Sequence, residues 1–167
     1  RAYHHRYGLS YAGLRYMNVY GPRQDYRGAY IAVIMKMLDA VDRAEPLKVY
    51  GDGSQAYDFV YVGDCGRANL CAMQASVDDR FYNVGTGKRT SIKELAEMVN
   101  RLTNNPGGIE YVPEGQTFVR NRIGATENAS NDIGFNASVE LETGLRELIT
   151  WRNAHKEAVD ARRAAAG

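Results

Sequence analysis

Two rhythms of apolar residues alternate along this chain. Ile31, Ile34, Met35, Leu38 and Val41 recur every three or four positions, which predicts an amphipathic helix of about four turns that stops before Pro46. Ile92, Leu95, Ala96, Val99 and Leu102 repeat the pattern behind Ser91. Glu94 stands three residues after that serine, the pairing that closes a helix's first turn from both sides. Leu141, Leu145, Leu148 and Ile149 mark a last helix, and Ala129 to Ile133 a short one. Between the helical stretches, Tyr57-Asp58-Phe59-Val60-Tyr61-Val62 alternates with period two and is rich in aromatic and branched side chains, which predicts a strand. Leu9 to Val19, Leu47 to Tyr50, Phe81 to Val84 and Ile109 to Val112 read the same way. Gly51-Asp52-Gly53-Ser54, Gly85-Thr86-Gly87 and Asn104-Asn105-Pro106-Gly107-Gly108 are turn signals, Arg23 to Gly28 is a polar loop, and Asp64 is placed to N-cap a helix running to about Ala75.

Strands alternating with helices predict an α/β architecture. No repeat and no Pro-, Gly- or Ser-rich linker divides the chain, so residues 1–157 read as one unit and the Ala/Arg-rich residues 158–167 as a helical tail that frays. A length of 167 residues suits one domain. The strands are nevertheless too few for a large α/β sheet. Ala2 to Tyr7, with Gly8 as a left-handed cap, reads as the last turns of a helix with no start signal before it. Both features lead us to expect a sheet that is incomplete within these residues.

Composition narrows the function classes. With 21 Lys and Arg against 20 Asp and Glu the net charge is +1. That is not the basic excess of a nucleic-acid binder, and any anion must be gripped by a few placed cations. Cys65 and Cys71 form no C-x-x-C pair, and with three His they give no metal-ligand spacing. Reduced, buried thiols in a cytoplasmic protein are the expectation. No apolar run approaches the ~20 residues that cross a bilayer.

Four stretches carry a resemblance. They are Leu14-Arg15-Tyr16-Met17-Asn18-Val19-Tyr20-Gly21-Pro22-Arg23; Val49-Tyr50-Gly51-Asp52-Gly53-Ser54-Gln55-Ala56-Tyr57-Asp58-Phe59-Val60-Tyr61-Val62, followed by Asp64; Phe81-Tyr82-Asn83-Val84-Gly85-Thr86-Gly87, with Thr90-Ser91 opening the next helix; and the closing Arg122-Ile123-Gly124, Ile133-Gly134-Phe135 and Leu141-Glu142-Thr143-Gly144-Leu145. In this order and spacing the chain, over about residues 1 to 155, resembles the extended short-chain dehydrogenase/reductase family, the NAD-dependent nucleotide-sugar epimerases and dehydratases. The resemblance implies the carboxyl-terminal part of an NAD(P)-binding Rossmann-like fold: an incomplete parallel sheet plus a small substrate-binding α/β subdomain. It also implies NAD as cofactor and a nucleotide sugar as partner. Two family features are absent from this sequence, namely a Gly-x-x-Gly-x-x-Gly turn for the NAD pyrophosphate and a Tyr-x-x-x-Lys pair for acid/base work. The Tyr and Lys would sit on the helix that ends at Ala2 to Tyr7.

Carried over residue by residue, the resemblance offers candidates, each beside a plainer role. Asn18 matches a substrate-contacting Asn, or stabilises the turn before Gly21-Pro22. Tyr16 matches the position whose backbone meets the nicotinamide carboxamide, or packs in the core. Lys48 and Tyr50 flank a strand that receives the nucleobase, or lie on an ordinary edge strand. Tyr57 stands where many members place a pyrophosphate-clamping Arg, and a hydroxyl brings no charge. Arg122 then becomes the leading phosphate cation, or a solvated surface charge, with Arg120 on the same face of an extended stretch. Asn83 and Gly85 lie at a strand end near the expected cleft. The leading expectation is the nucleotide-sugar-binding portion of a UDP-glucose 4-epimerase-like enzyme, catalytically incomplete by itself. The alternatives are a non-catalytic binding or oligomerisation module using the 31–41 and tail helices as a homo-oligomer interface, and a reductase of the same family acting on another substrate.

Overall fold

The computed structural model describes residues 1–24, 33–113 and 120–165. The expected polar loop from Asp25 to Gly28, Ile31, and Phe118 and Val119 lie outside the described residues. In chain order the elements are α1 (Ala2–Tyr7), β1 (Ala12–Tyr16), β2 (Asn18–Tyr20), α2 (Val33–Asp42), β3 (Leu47–Tyr50), β4 (Ala56–Tyr57), β5 (Phe59–Tyr61), α3 (Val62–Gln74), β6 (Arg80–Val84), β7 (Thr90–Ser91), α4 (Ile92–Thr103), β8 (Ile109–Val112), β9 (Asn121–Arg122), α5 (Glu127–Ile133), α6 (Leu141–Ala154) and α7 (Lys156–Ala164).

Local signals account for most of the helix ends. Gly8 adopts φ 66° and donates its N–H to the His4 carbonyl, closing α1 as expected. Ser91 accepts from the Glu94 N–H while Glu94 accepts from Ser91, a complete capping box on α4. Asp64 behaves differently from its expected capping role. Helix α3 begins at Val62, with Tyr61 as a cap that offers no side-chain bond, and Asp64 is buried inside the first turn. Its carboxylate accepts the Ser138 and Val139 N–H groups at 3.0 Å each and Arg67 Nη2 at 2.6 Å, so it fastens the segment leading into α6.

The strands pair as short pieces, parallel except for the antiparallel β4–β7 pair. β1 runs parallel to β6 from Ala12↔Arg80 to Tyr16↔Val84, β2 to β5 from Asn18↔Phe59 to Tyr20↔Tyr61, and β3 to β8 from Leu47↔Ile109 to Tyr50↔Val112. A three-stranded patch has the order β7-β4-β9. Two runs that read as single strands are divided. Leu9–Val19 breaks at Met17, where the chain leaves β6 and takes β5 as its neighbour. Tyr57–Val62 breaks at Asp58 and turns helical at Val62. Period-two patterning reports a half-buried extended chain but not which strand it pairs with.

Two apolar clusters result. The first gathers Ile34, Met35, Leu38, Leu47, Val49, Phe59, Leu95, Val99, Leu145 and Leu148 from α2, β3, β5, α4 and α6. The stripe of α2 is thus spent on this core, which removes it as the exposed interface considered from sequence. Of the tail read from composition as fraying, residues 158–164 belong to α7. There Val159 is 2 % exposed and Arg163 Nη2 donates to Asp39 Oδ1 and Asp42 Oδ2 at 2.8 Å each. Buried Arg152 of α6 donates to the same two oxygens at 2.9 and 2.6 Å. Both aspartates sit in the last turn of α2, at the negative end of its dipole, and the two guanidinium groups neutralise that concentration of charge. The second cluster packs Cys65 and Ala68 of α3 and Ala129 and Ile133 of α5 against Tyr82 and Val84 of β6. Cys65 and Cys71 are free, and burial pushes the Cys65 thiol up to about 11, with the nearby Asp64 adding to the shift. Among the described residues no helix is long and apolar enough to cross a membrane.

Candidate functional site

Parallel pairing brings the carboxyl ends of β1 and β6 out on one edge, the edge where open α/β sheets hold ligands. Beyond that edge the Met17 N–H donates to the Val84 carbonyl at 2.9 Å. Asn18 follows and is held twice by one acceptor: its backbone N–H and its Nδ2 donate to the Asp58 carbonyl at 2.9 and 3.1 Å. The Asn18 amide is therefore oriented before any ligand arrives, with its carbonyl oxygen and second amide hydrogen left over.

Asp58 is the residue that sequence reasoning missed. It is completely buried, and its carboxylate receives four donors. Oδ1 accepts the Thr86 N–H at 2.8 Å and the Thr86 hydroxyl at 2.7 Å; Oδ2 accepts the Gly87 N–H at 2.9 Å and the Gly124 N–H at 3.3 Å. A Cβ at Gly85 would overlap this carboxylate and the Met17 side chain, which is why that position is glycine. The Asp58 N–H in turn donates to the Arg122 carbonyl at 3.0 Å. An acid inside an otherwise apolar alternating run was the available signal, because a buried charge demands partners.

The candidates divide into three groups. Arg122 and Tyr57 are brought together: in the parallel β4–β9 pair they are direct register partners. Tyr57 packs its half-buried ring against the first apolar cluster, with the Phe59 ring 6.2 Å away. Arg122 is exposed, and among the described residues its side chain has no hydrogen-bond or ion-pair partner. Thus a cation stands one strand away from the position where the resembled family places one. Lys48 and Tyr50 belong to the separate β3–β8 sheet, opposite Glu110 and Val112. Gln55, just before β4, donates from Nε2 to the Tyr50 carbonyl at 3.2 Å. The side chains of Lys48 and Tyr50 are exposed, Tyr50 by 53 %. Tyr16, read from sequence as lying within a longer strand, ends β1, and its ring turns toward α3. The hydroxyl donates to Asn69 Oδ1 at 3.0 Å, and the ring lines an open hollow of about 430 Å³ with Leu14, Met73 and Val77. Asn83 is engaged at the strand end, donating from Nδ2 to the Ala125 carbonyl at 3.0 Å. His4 and His5 form no chelate, and among the described residues no cluster of three His, Cys, Asp or Glu could hold a metal ion.

A dinucleotide pyrophosphate needs open N–H groups at a helix N-terminus. Helix α3 follows β5 without a glycine turn and places buried Asp64 in its first turn, an acid that repels phosphate. Helix α4 closes its first turn with its own capping box. Neither of these two helix N-termini forms a pyrophosphate cradle.

Comparison with known proteins adds the following. Residues 1–85 match the NAD dependent epimerase/dehydratase family. The chain is similar to the UDP-N-acetyl-alpha-D-glucosaminuronate decarboxylase of Bacillus cytotoxicus, with 33 % identity over 150 residues that cover 86 % of this chain and 46 % of that protein. Its fold is similar to the UDP-glucose 4-epimerase of Thermotoga maritima solved with UDP-glucose, at TM-score 0.84 and 35 % identity over 92 % of this chain and 49 % of that one. It is also similar to a Bordetella bronchiseptica enzyme solved with NAD+ and UDP, at TM-score 0.85 and 25 % identity over 98 % and 51 %. The chain spans about half the length of the relatives it matches.

Proposed function

The chain belongs to the NAD dependent epimerase/dehydratase family, and on that premise we propose that it supplies the nucleotide-sugar-binding part of an NAD-dependent, UDP-glucose 4-epimerase-like enzyme. The observation that carries this reading is the Asn18–Asp58–Arg122 chain of hydrogen bonds at the carboxyl edge of the parallel strands. It sets an oriented amide and an uncommitted guanidinium on neighbouring backbone, the pair of groups a pyrophosphate-linked sugar requires. Arg122 serves the phosphates in place of the arginine that Tyr57 replaces, and Tyr57 gives the site an apolar, hydroxyl-tipped wall. Lys48 and Tyr50 offer a second contact zone, suited to the base, and the backbone at Tyr16 faces the cofactor.

Hydride and proton transfer belong to residues other than these. No Tyr in the sequence is followed four positions later by Lys, and no Gly-x-x-Gly-x-x-Gly turn occurs. In the whole enzyme NAD supplies the redox chemistry, and this chain holds and orients the sugar nucleotide. Titration calorimetry of the chain with UDP-, GDP- and dTDP-sugars tests the proposal. We expect weak binding of a nucleotide sugar, no turnover, and a loss of about tenfold in affinity for Arg122→Gln, the size of one charge-assisted phosphate contact. Turnover by this chain alone, or binding indifferent to Arg122, overturns it.

A second reading, a binding or oligomerisation module, rests on a different observation: Leu70, Met73 and Phe81 are 53 %, 82 % and 43 % exposed around β1, β6 and α3. Light scattering separates the two, since a monomer at high concentration removes the support for self-association.

A further inference from the structure

We propose that Asp58 is a positioning residue, whose buried carboxylate sets the placement of Asn18 and Arg122 for the nucleotide sugar. This rests on the binding reading above. Asp58 lies between β4 and β5, at the point where the run of alternating residues breaks. From there its backbone reaches sideways in two directions. The carbonyl accepts both Asn18 donors and the N–H holds the Arg122 carbonyl. Three residues that are 40 and 64 positions from one another in sequence, Asn18, Asp58 and Arg122, are thereby tied into one band.

The carboxylate decides where that band sits. Its four donors come from two separate segments: the Thr86–Gly87 turn after β6 gives two backbone N–H groups and the Thr86 hydroxyl, and the peptide after β9 gives the Gly124 N–H. Three of the four are backbone N–H groups, which only donate, so the pocket is matched to a group that only accepts. Gly85 leaves room for the carboxylate on one side, and Gly124 lies against Met17 on the other, close enough that a Cβ there would press on the Met17 side chain. The turn of β6, the turn of β9 and the Asn18 strand are therefore located relative to one another by one residue, the two turns through its carboxylate and Asn18 through its backbone carbonyl. The carboxylate itself is wholly buried and reaches ligand only through the groups it places, so it is not catalytic.

The test uses Asp58→Asn, which keeps the volume but turns an –NH2 toward N–H donors whichever way the amide is flipped. Amide exchange by NMR on the ligand-free chain is the first readout. We expect Thr86 and Gly87 to lose protection by about tenfold or more, since the carboxylate that accepts their N–H groups is gone, and Asn18, bonded to the Asp58 backbone carbonyl, to lose a smaller part as that backbone shifts. Calorimetry with UDP-glucose is the second, with a loss on the order of tenfold in affinity. A double-mutant cycle with Asn18→Ala separates positioning from general loosening. If Asp58 acts through Asn18, the second substitution adds less than about twofold to the first. Fully multiplicative losses, or unchanged exchange at Thr86 and Gly87, overturn the proposal. Should Asp58→Asn fail to fold, Thr86→Val removes one donor and leaves the three N–H groups in place; it is expected to lower affinity by about threefold, and an unchanged affinity counts against the idea. If the wild-type chain binds no nucleotide sugar, the functional reading falls, while the exchange data still decide whether Asp58 orders Asn18.

Discussion

Helices α2 and α4 close over one face of β3, in a core where Leu47, Val49, Leu95 and Leu148 are fully buried, while the β1–β6 pair is covered on the Tyr82 and Val84 side and leaves Phe81 43 % exposed on the other. Tyr82 and Val84 point toward α3 and α5, and strand alternation sends Phe81 and Asn83 to the opposite face. Parallel strands ordinarily bury both faces. The region around β3 does so only on the Leu47 and Val49 face, since Lys48 and Tyr50 are exposed on the other; the region around β1 and β6 leaves the larger apolar surface open among the described residues. Tyr3, Tyr7, Leu9, Tyr16, Leu70 and Met73 add to its exposed apolar surface. The difference separates two jobs: one region carries the stability of the chain, and the other offers an edge and a face on which contacts can be made.

Four substitutions break or sharpen that contrast. Leu148→Ala, in the fully buried core, is expected to cost roughly 3 kcal/mol by chemical denaturation, because the packed surroundings cannot collapse onto the lost volume. A comparable change at Met73, 82 % exposed, is the opposite extreme. Arg152→Ala removes one of the two described arginines that bridge Asp39 and Asp42 at the negative end of α2, and a loss of about 3 kcal/mol is expected, read as a lowered denaturation midpoint. A neutral result would show that α7 alone suffices to hold α2.

Asp64 joins the two regions, since it stands on α3 and grips the Ser138–Val139 backbone that leads into α6. Burial works to raise its pKa, but the Val139 and Ser138 N–H groups and Arg67 prevail and hold it below the ordinary aspartate range. A depressed folded-state pKa means that this stabilisation is complete above the unfolded value, about 4, and is lost as the pH falls through the lower folded value. Asp64→Asn should cost about 2 kcal/mol at neutral pH and flatten the acid limb of the stability profile. An unchanged acid limb would remove Asp64 as the link. Met73→Ser is the smallest effect: within about 0.5 kcal/mol in stability, with any change confined to self-association by light scattering.

How much of this could be read from sequence differs by residue. The Ser91–Glu94 box, the Gly8 cap and the apolar stripes of α2, α4 and α6 were all legible, and so were the approximate places of β1, β2, β3, β5, β6 and β8; the two-residue strands β7 and β9 were not read as strands. The site was legible only in part. Asn18, Tyr57 and Arg122 were singled out from motifs, but nothing in the order of residues showed that Tyr57 and Arg122 are register partners. Asp58 was passed over as one polar position in an alternating strand, and Asp64 was given a local capping role although its partners lie 74 and 75 positions away.

Sequence alone determined the features whose partners lie within a turn or two of helix or a few residues of strand: caps, amphipathic faces, turns and the alternation that makes an α/β chain. Tertiary structure decided which strands pair, where two of them divide, and which buried carboxylate anchors which loop. The physical reason is range. A capping bond spans three residues and is written into their identities, whereas the bonds to Asp58 cross up to 66 positions and form only once packing has brought separate strand ends to one edge.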